Sequence, residues 1–176
     1  MTGYEQIYSL KLLDDLVSKN FLRNLKEAVE SEECPWHYRN YSSKYSDDFF
    51  VPNNYFFHFT HEIFLNNTVI SPLYHAINFT DLLKNFNGKE LIEAQVIFYL
   101  GSKEVIKHLP RIDYSVPNKC LILFLNSCNG GLEIANTKIE AIEGRAIIFN
   151  GNDVYNTFSC TNSKKFMFFK INYHEH

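Results

Sequence analysis

The chain has 176 residues, 45% of them hydrophobic and 16% aromatic, with a formal net charge of −3. That is the length of one domain (1–176) with enough apolar material for a real core, which excludes a disordered chain. The near balance of 17 basic and 20 acidic residues leaves no electrostatic footprint for nucleic acid. No apolar run approaches the roughly 18–20 residues of a membrane span. Met1–Glu5 shows no basic region leading into an apolar one, so no secretory signal and a cytoplasmic protein are expected. The four cysteines (Cys34, Cys120, Cys128, Cys160) have no C-x-x-C spacing and read as reduced core thiols.

In chain order, the first predicted element is an amphipathic helix over 12–31. Leu12, Leu13, Leu16, Val17, Leu25, Ala28 and Val29 recur at three- and four-residue intervals, with Asp14, Lys19, Lys26 and Glu27 opposite. It stops before Pro35. A polar loop over 39–54 follows, with Ser42, Ser43, Asp47 and Asp48. The aromatic run 56–64 predicts a strand running into a turn at Asn66-Asn67. A second helix is predicted over 72–86, with Ser71 as its cap, Pro72 at its first position and Gly88 at its stop. From Glu90 the period becomes that of strands: 93–100, 119–126, 132–135, 139–142, 145–150, 154–159 and 165–173, punctuated by Gly, Asn or Pro. Helices followed by many short strands predict an α+β fold: a jelly-roll or barrel with helices packed on one side. Gly130-Gly131 reads as a hairpin or bulge and not a phosphate loop, since no helix with Lys-Ser/Thr follows.

Several segments carry a family likeness. Leu109–Asn129 runs from a short polar element with Asp113 through a proline turn and an apolar strand to an Asn/Gly turn. Gly144-Arg145-Ala146-Ile147-Ile148-Phe149-Asn150-Gly151-Asn152 leads to Tyr155, and Phe166–Tyr173 closes the chain. Upstream stand Cys34-Pro35-Trp36-His37-Tyr38 and Phe57-His58-Phe59-Thr60-His61. In this order the chain resembles the 2-oxoglutarate/iron(II)-dependent oxygenases, in particular the short prolyl-4-hydroxylase-like proteins of phages and bacteria. The resemblance spans nearly the whole chain and implies a double-stranded β-helix.

It also implies a metal site, from which this chain departs. The family carries His-x-Asp where this chain has Arg111-Ile112-Asp113. Asp113 matches the carboxylate ligand, but a guanidinium has no lone pair for iron. The second histidine falls on Tyr155, and the basic anchor of the co-substrate on Phe166. Lys164 lies two residues earlier on the same face, and Lys165 on the opposite one. His108 is five residues from Asp113, on the opposite side of a continuous strand, and reads as a surface or loop histidine. His58-x-x-His61 lies in an extended run where the two side chains diverge. His174-Glu175-His176 reads as a solvated tail.

The resemblance, with these replacements, implies an oxygenase-like protein that has lost metal and co-substrate binding. It would act as a non-catalytic binding protein for an unidentified protein or small molecule, with no cofactor. The alternative is an active dioxygenase using iron(II) and 2-oxoglutarate at an irregular site, with Asp113 joined by Tyr155, His108, His174 or His176, hydroxylating a peptide or small molecule. In the first case Arg111 is expected to pair with Asp113 or to reach into the old metal space, with Tyr155 close by.

Overall fold

The computed structural model describes residues 10–40 and 57–175. Of the predicted loop over 39–54, Arg39 and Asn40 instead end a strand paired with Phe57 and His58, and residues 41–54, with Phe56, the first residues of the chain and His176, lie outside the described residues. Among the described residues, eleven strands and three helices run in the order β1 (Lys11–Leu13), α1 (Lys19–Val29), β2 (His37–Asn40), β3 (Phe57–Leu65), β4 (Thr68–Val69), α2 (Leu73–Ala76), α3 (Phe79–Lys84) and β5 (Gly88–Leu100). They continue through β6 (Lys119–Phe124), β7 (Cys128–Ile134), β8 (Thr137–Ala141), β9 (Ala146–Asn150), β10 (Tyr155–Phe158) and β11 (Lys165–Glu175). The larger sheet has the order β1-β9-β6-β11-β5-β3-β2, with β4 paired to β3, and the smaller one β10-β7-β8. All pairings are antiparallel. The two sheets and the helices on one side make the α+β jelly-roll expected from the change of period near Gly88.

Side-chain alternation divides the core in two. Along β11, Met167, Phe169, Ile171 and Tyr173 face the helices and join Leu22, Leu25, Val29, Phe79, Leu82 and Leu83. Phe166 and Phe168 point the other way, into the space between the sheets, with Cys120, Ile122 and Phe124 from β6 and Ile147 and Phe149 from β9. Being buried on both faces, β6 and β11 read as near-continuous apolar runs.

The turns follow backbone chemistry. Asn66 and Asn67 both adopt positive φ (49° and 60°) in the two-residue link from β3 to β4, as a type I′ hairpin requires. The register shift between Cys128 and Gly131 confirms the bulge expected at Gly130-Gly131.

Three sequence expectations need correction. The helix over 12–31 begins only at Lys19, capped by the Ser18 side chain, which accepts from the Phe21 N–H. Residues 11–13 instead form β1 against β9, and Asp15 turns the chain with φ 60°. Here the open edge of β9 overrides the local helical period. The helix over 72–86 is two short helices, because Ile77 is extended between them (φ −100°, ψ 117°). The left-handed residue after α3 is Asn87 (φ 62°), and Gly88 opens β5. A Cβ there would lie 2.8 Å from Leu83 Cδ2, so close packing is what favours glycine. Among the described residues no helix is long and apolar enough to cross a membrane.

Candidate functional site

The inward positions of the strands change from apolar to polar at one end of the barrel. On β11 the inward series is Phe166, Phe168, Lys170, Asn172; on β5 it is Glu93, Gln95, Ile97, Tyr99. Register sets Lys170 opposite Gln95 and Ile122, and Asn172 opposite Glu93 and Cys120. The segment between β5 and β6 crosses this end and inserts Asp113.

Asp113 is therefore surrounded. Its Oδ1 receives the Lys170 ammonium at 3.0 Å and the Tyr155 hydroxyl at 2.9 Å. Its Oδ2 accepts from Asn172 Nδ2 at 3.4 Å and from the Cys120 thiol at 3.5 Å. Lys170 also lies 3.3 Å from Glu93 Oε2, which accepts from the Tyr114 hydroxyl at 3.4 Å, while Gln95 Nε2 donates to Glu93 Oε1 at 2.7 Å. The Lys170 and Asp113 side chains are 4% and 5% exposed. Burial alone would raise the Asp113 carboxyl, but the charges of Lys170 and then Arg111 outweigh it and hold it below the ordinary value. Burial would likewise lower Lys170, yet Asp113 and Glu93 raise it. The two directions agree: this is an ion pair. Burial, then the Asp113 charge, pushes the Cys120 thiol well up, so it is no thiolate.

Arg111 enters the same space from the side. Its backbone bridges Tyr155, N–H to O at 2.9 Å and 3.0 Å in return. Its guanidinium donates to the Tyr99 hydroxyl and stands 5.4 Å from the centre of the Tyr155 ring. Tyr155 thus stands beside Arg111, whose charge acts on Asp113. The ammonium in contact with Asp113, however, comes from Lys170, which the sequence reading had not singled out. Part of its signal was visible: Lys170 is the one charge in Phe166-Met167-Phe168-Phe169-Lys170-Ile171-Asn172-Tyr173.

The other candidates fall as follows. Phe166 is fully buried, its ring centre 5.2 Å from that of Phe168 and 6.0 Å from those of Tyr99 and Phe124. Lys164 is exposed ahead of β11, where its carbonyl accepts the Gly101 N–H at 2.8 Å. His174 is exposed and paired in register with Glu90 at the end of β11. The surface reading of His108 is corrected: it is 3% exposed, with Nδ1 2.7 Å from Thr157 Oγ1. Pro110 breaks the local strand, so facing rules counted from Asp113 do not apply to His108. On β3, His61 contacts Pro35 O and Ser71 Oγ, both at 2.9 Å, whereas His58 packs on Tyr99, 5.4 Å between ring centres. The pair diverges as expected. A cavity of about 440 Å³ opens beside Tyr99, lined among others by Phe57, Leu100, Ile106 and Ser159.

No protein-family model matches the sequence, and no curated protein matches it. Solved structures do match, over nearly the whole chain. A 2OG-Fe(II) oxygenase family oxidoreductase from Burkholderia pseudomallei superposes with a TM-score of 0.67 at 8% identity, covering 95% of this chain and 85% of that one. A prolyl-4-hydroxylase from Pseudomonas putida gives 0.59 at 9% identity, over 97% and 95%. The viral collagen prolyl hydroxylase of Paramecium Bursaria Chlorella virus-1 gives 0.56 at 12% identity, over 99% and 100%. The chain has the fold of the 2-oxoglutarate/iron(II) oxygenases.

On this oxygenase fold the residues around Asp113 do not fit an iron(II) site. Its four partners are an ammonium, a phenol, an amide and a protonated thiol. An ammonium offers no lone pair and repels a second cation. Among the described residues no group of three or more His, Cys, Asp or Glu side chains is placed to hold a metal. Phe166 and Phe168 fill the barrel beyond Lys170.

Proposed function

We propose that this protein is an oxygenase-fold protein that neither binds iron(II) and 2-oxoglutarate nor turns them over, and that it serves as a non-catalytic binding protein. The observation that carries the reading is the Lys170 ammonium 3.0 Å from Asp113 Oδ1. A fixed internal cation satisfies the carboxylate that the resemblance assigns to metal. Buried charges must be paired, and here protein supplies both partners. The filled barrel supports the same conclusion, and the cavity beside Tyr99 offers an apolar recess for a side chain of a partner or a small molecule. Neither nucleic acid nor a membrane is expected as a partner.

Anaerobic reconstitution with iron(II), followed by incubation with 2-oxoglutarate, ascorbate and air, tests the reading. The expected result is no retained metal after desalting and no succinate above the protein-free control. Stoichiometric metal, or succinate dependent on Asp113, overturns it.

A further inference from the structure

We propose that Lys170 and Asp113 condense into an intramolecular isopeptide bond, with Glu93 relaying the protons. Three features of the site meet the needs of that reaction. First, the nucleophile and the acyl group are in place: Lys170 Nζ is 3.0 Å from Asp113 Oδ1, one bond from the carboxyl carbon. Holding the two groups side by side makes amide formation an intramolecular step. Second, a further carboxylate touches the amine, Glu93 Oε2 at 3.3 Å. Third, the side chains of Lys170, Asp113 and Glu93 are 4%, 5% and 13% exposed, so water, which would reverse the condensation, is largely excluded.

The step balances without an oxidant or reductant. Glu93 takes one proton from the Lys170 ammonium and delivers it to the Asp113 carboxylate. The neutral amine then attacks the carboxyl carbon, forming the C–N bond. Its second proton passes through Glu93 to the departing hydroxyl, the C–O bond breaks, and water leaves with Glu93 again a carboxylate. The Tyr155 hydroxyl, donating to Oδ1, stabilises the oxygen that carries charge in the tetrahedral intermediate. The ion pair is the state from which condensation starts. Its neutral tautomer is one proton transfer away, and burial disfavours the separated charges on both groups. The product would fasten the central strand β11 to the segment carrying Asp113.

Intact mass measured on the denatured full chain decides it. The expected result is a loss of the mass of one water, with proteolysis yielding a branched peptide that joins Lys170 to Asp113. A chain at full mass overturns the proposal, and this readout needs no variant. A succinimide at Asp113 also loses water but is opened by hydroxylamine to a hydroxamate, so a gain of the mass of one hydroxylamine on that treatment overturns it as well. Glu93→Gln, folded by circular dichroism, is expected at full mass; condensation in that variant overturns the relay. The inference shares the Lys170–Asp113 contact with the proposed function, but the two fail separately. A full-mass chain that takes up no metal removes only the amide, and succinate made by a chain lacking one water removes only the non-catalytic reading.

Discussion

The rings of Tyr99 and His108 lie face to face, 4.4 Å between centres and 14° between planes. His58 covers Tyr99 as well, at 5.4 Å. Tyr99 also takes hydrogen bonds from Arg111 and, at 3.2 Å, from Thr157. A tyrosine flanked by two imidazoles beside a guanidinium is a place where added positive charge is unwelcome.

Acid should therefore weaken the fold early. Burial, then the Arg111 charge, lowers His108 to about 4 and His58 to about 3 from 6.5. Both are neutral in the folded chain at pH values where the unfolded chain already binds protons. Their stabilisation is complete above about pH 6.5 and is lost as pH falls towards 4, by up to about 1.4 kcal/mol per pH unit for His108. The lowered Asp113 carboxyl acts only in more acidic solution, below 3.8. Urea midpoints should fall between pH 7 and 5, and fall less in His108→Leu. A midpoint that is flat across that range contradicts the burial of neutral imidazoles.

Removing the internal ammonium should be costly. Lys170→Met leaves Asp113 and Glu93 buried together without their shared cation, a loss on the order of 3–5 kcal/mol. Adding Asp113→Asn and Glu93→Gln to that variant should recover much of it. Equal denaturation midpoints for Lys170→Met and the unmodified chain would show that solvent reaches the site.

Metal affinity should not return with histidines alone. Arg111→His with Tyr155→His restores the imidazoles that the resemblance assigns but keeps Lys170 against Asp113. Thermal melts of this double variant should be unchanged by manganese(II) or zinc(II). With Lys170→Met added, metal at a hundred times its dissociation constant should stabilise by about 2.7 kcal/mol. Absence of a metal-dependent rise in the triple variant means that these positions do not converge on one ion.

The bulge in β7 should tolerate only glycine. A Cβ at Gly131 would lie 2.0 Å from the Ile139 carbonyl oxygen on β8. Because the obstacle is backbone, Gly131→Ala must push two strands apart, at a cost of roughly 1–3 kcal/mol or more. A melting temperature equal to that of the unmodified chain would show that the β7–β8 pairing shifts freely.

The sequence by itself determined the strands from residue 90 onward, the two-asparagine turn, the Gly130-Gly131 bulge and, at Arg111, a side chain with no lone pair for a metal. Those are local properties: alternation of period two, turn residues able to adopt positive φ, and the donor chemistry of single side chains. Tertiary structure alone decided that residues 11–13 form a strand, since an open edge of β9 outweighed a helical period, and that His108 is buried, since Tyr99 and Thr157 close over it. It also decided which cation meets Asp113. Two residues' separation made Arg111 the nearest candidate, but the pairing is set by register across three strands, which brings Lys170 of β11 to Glu93 of β5 and under the segment that carries Asp113. Period two shows that Lys170 alternates with its neighbours but not which face looks inward, and only the closed barrel resolves that.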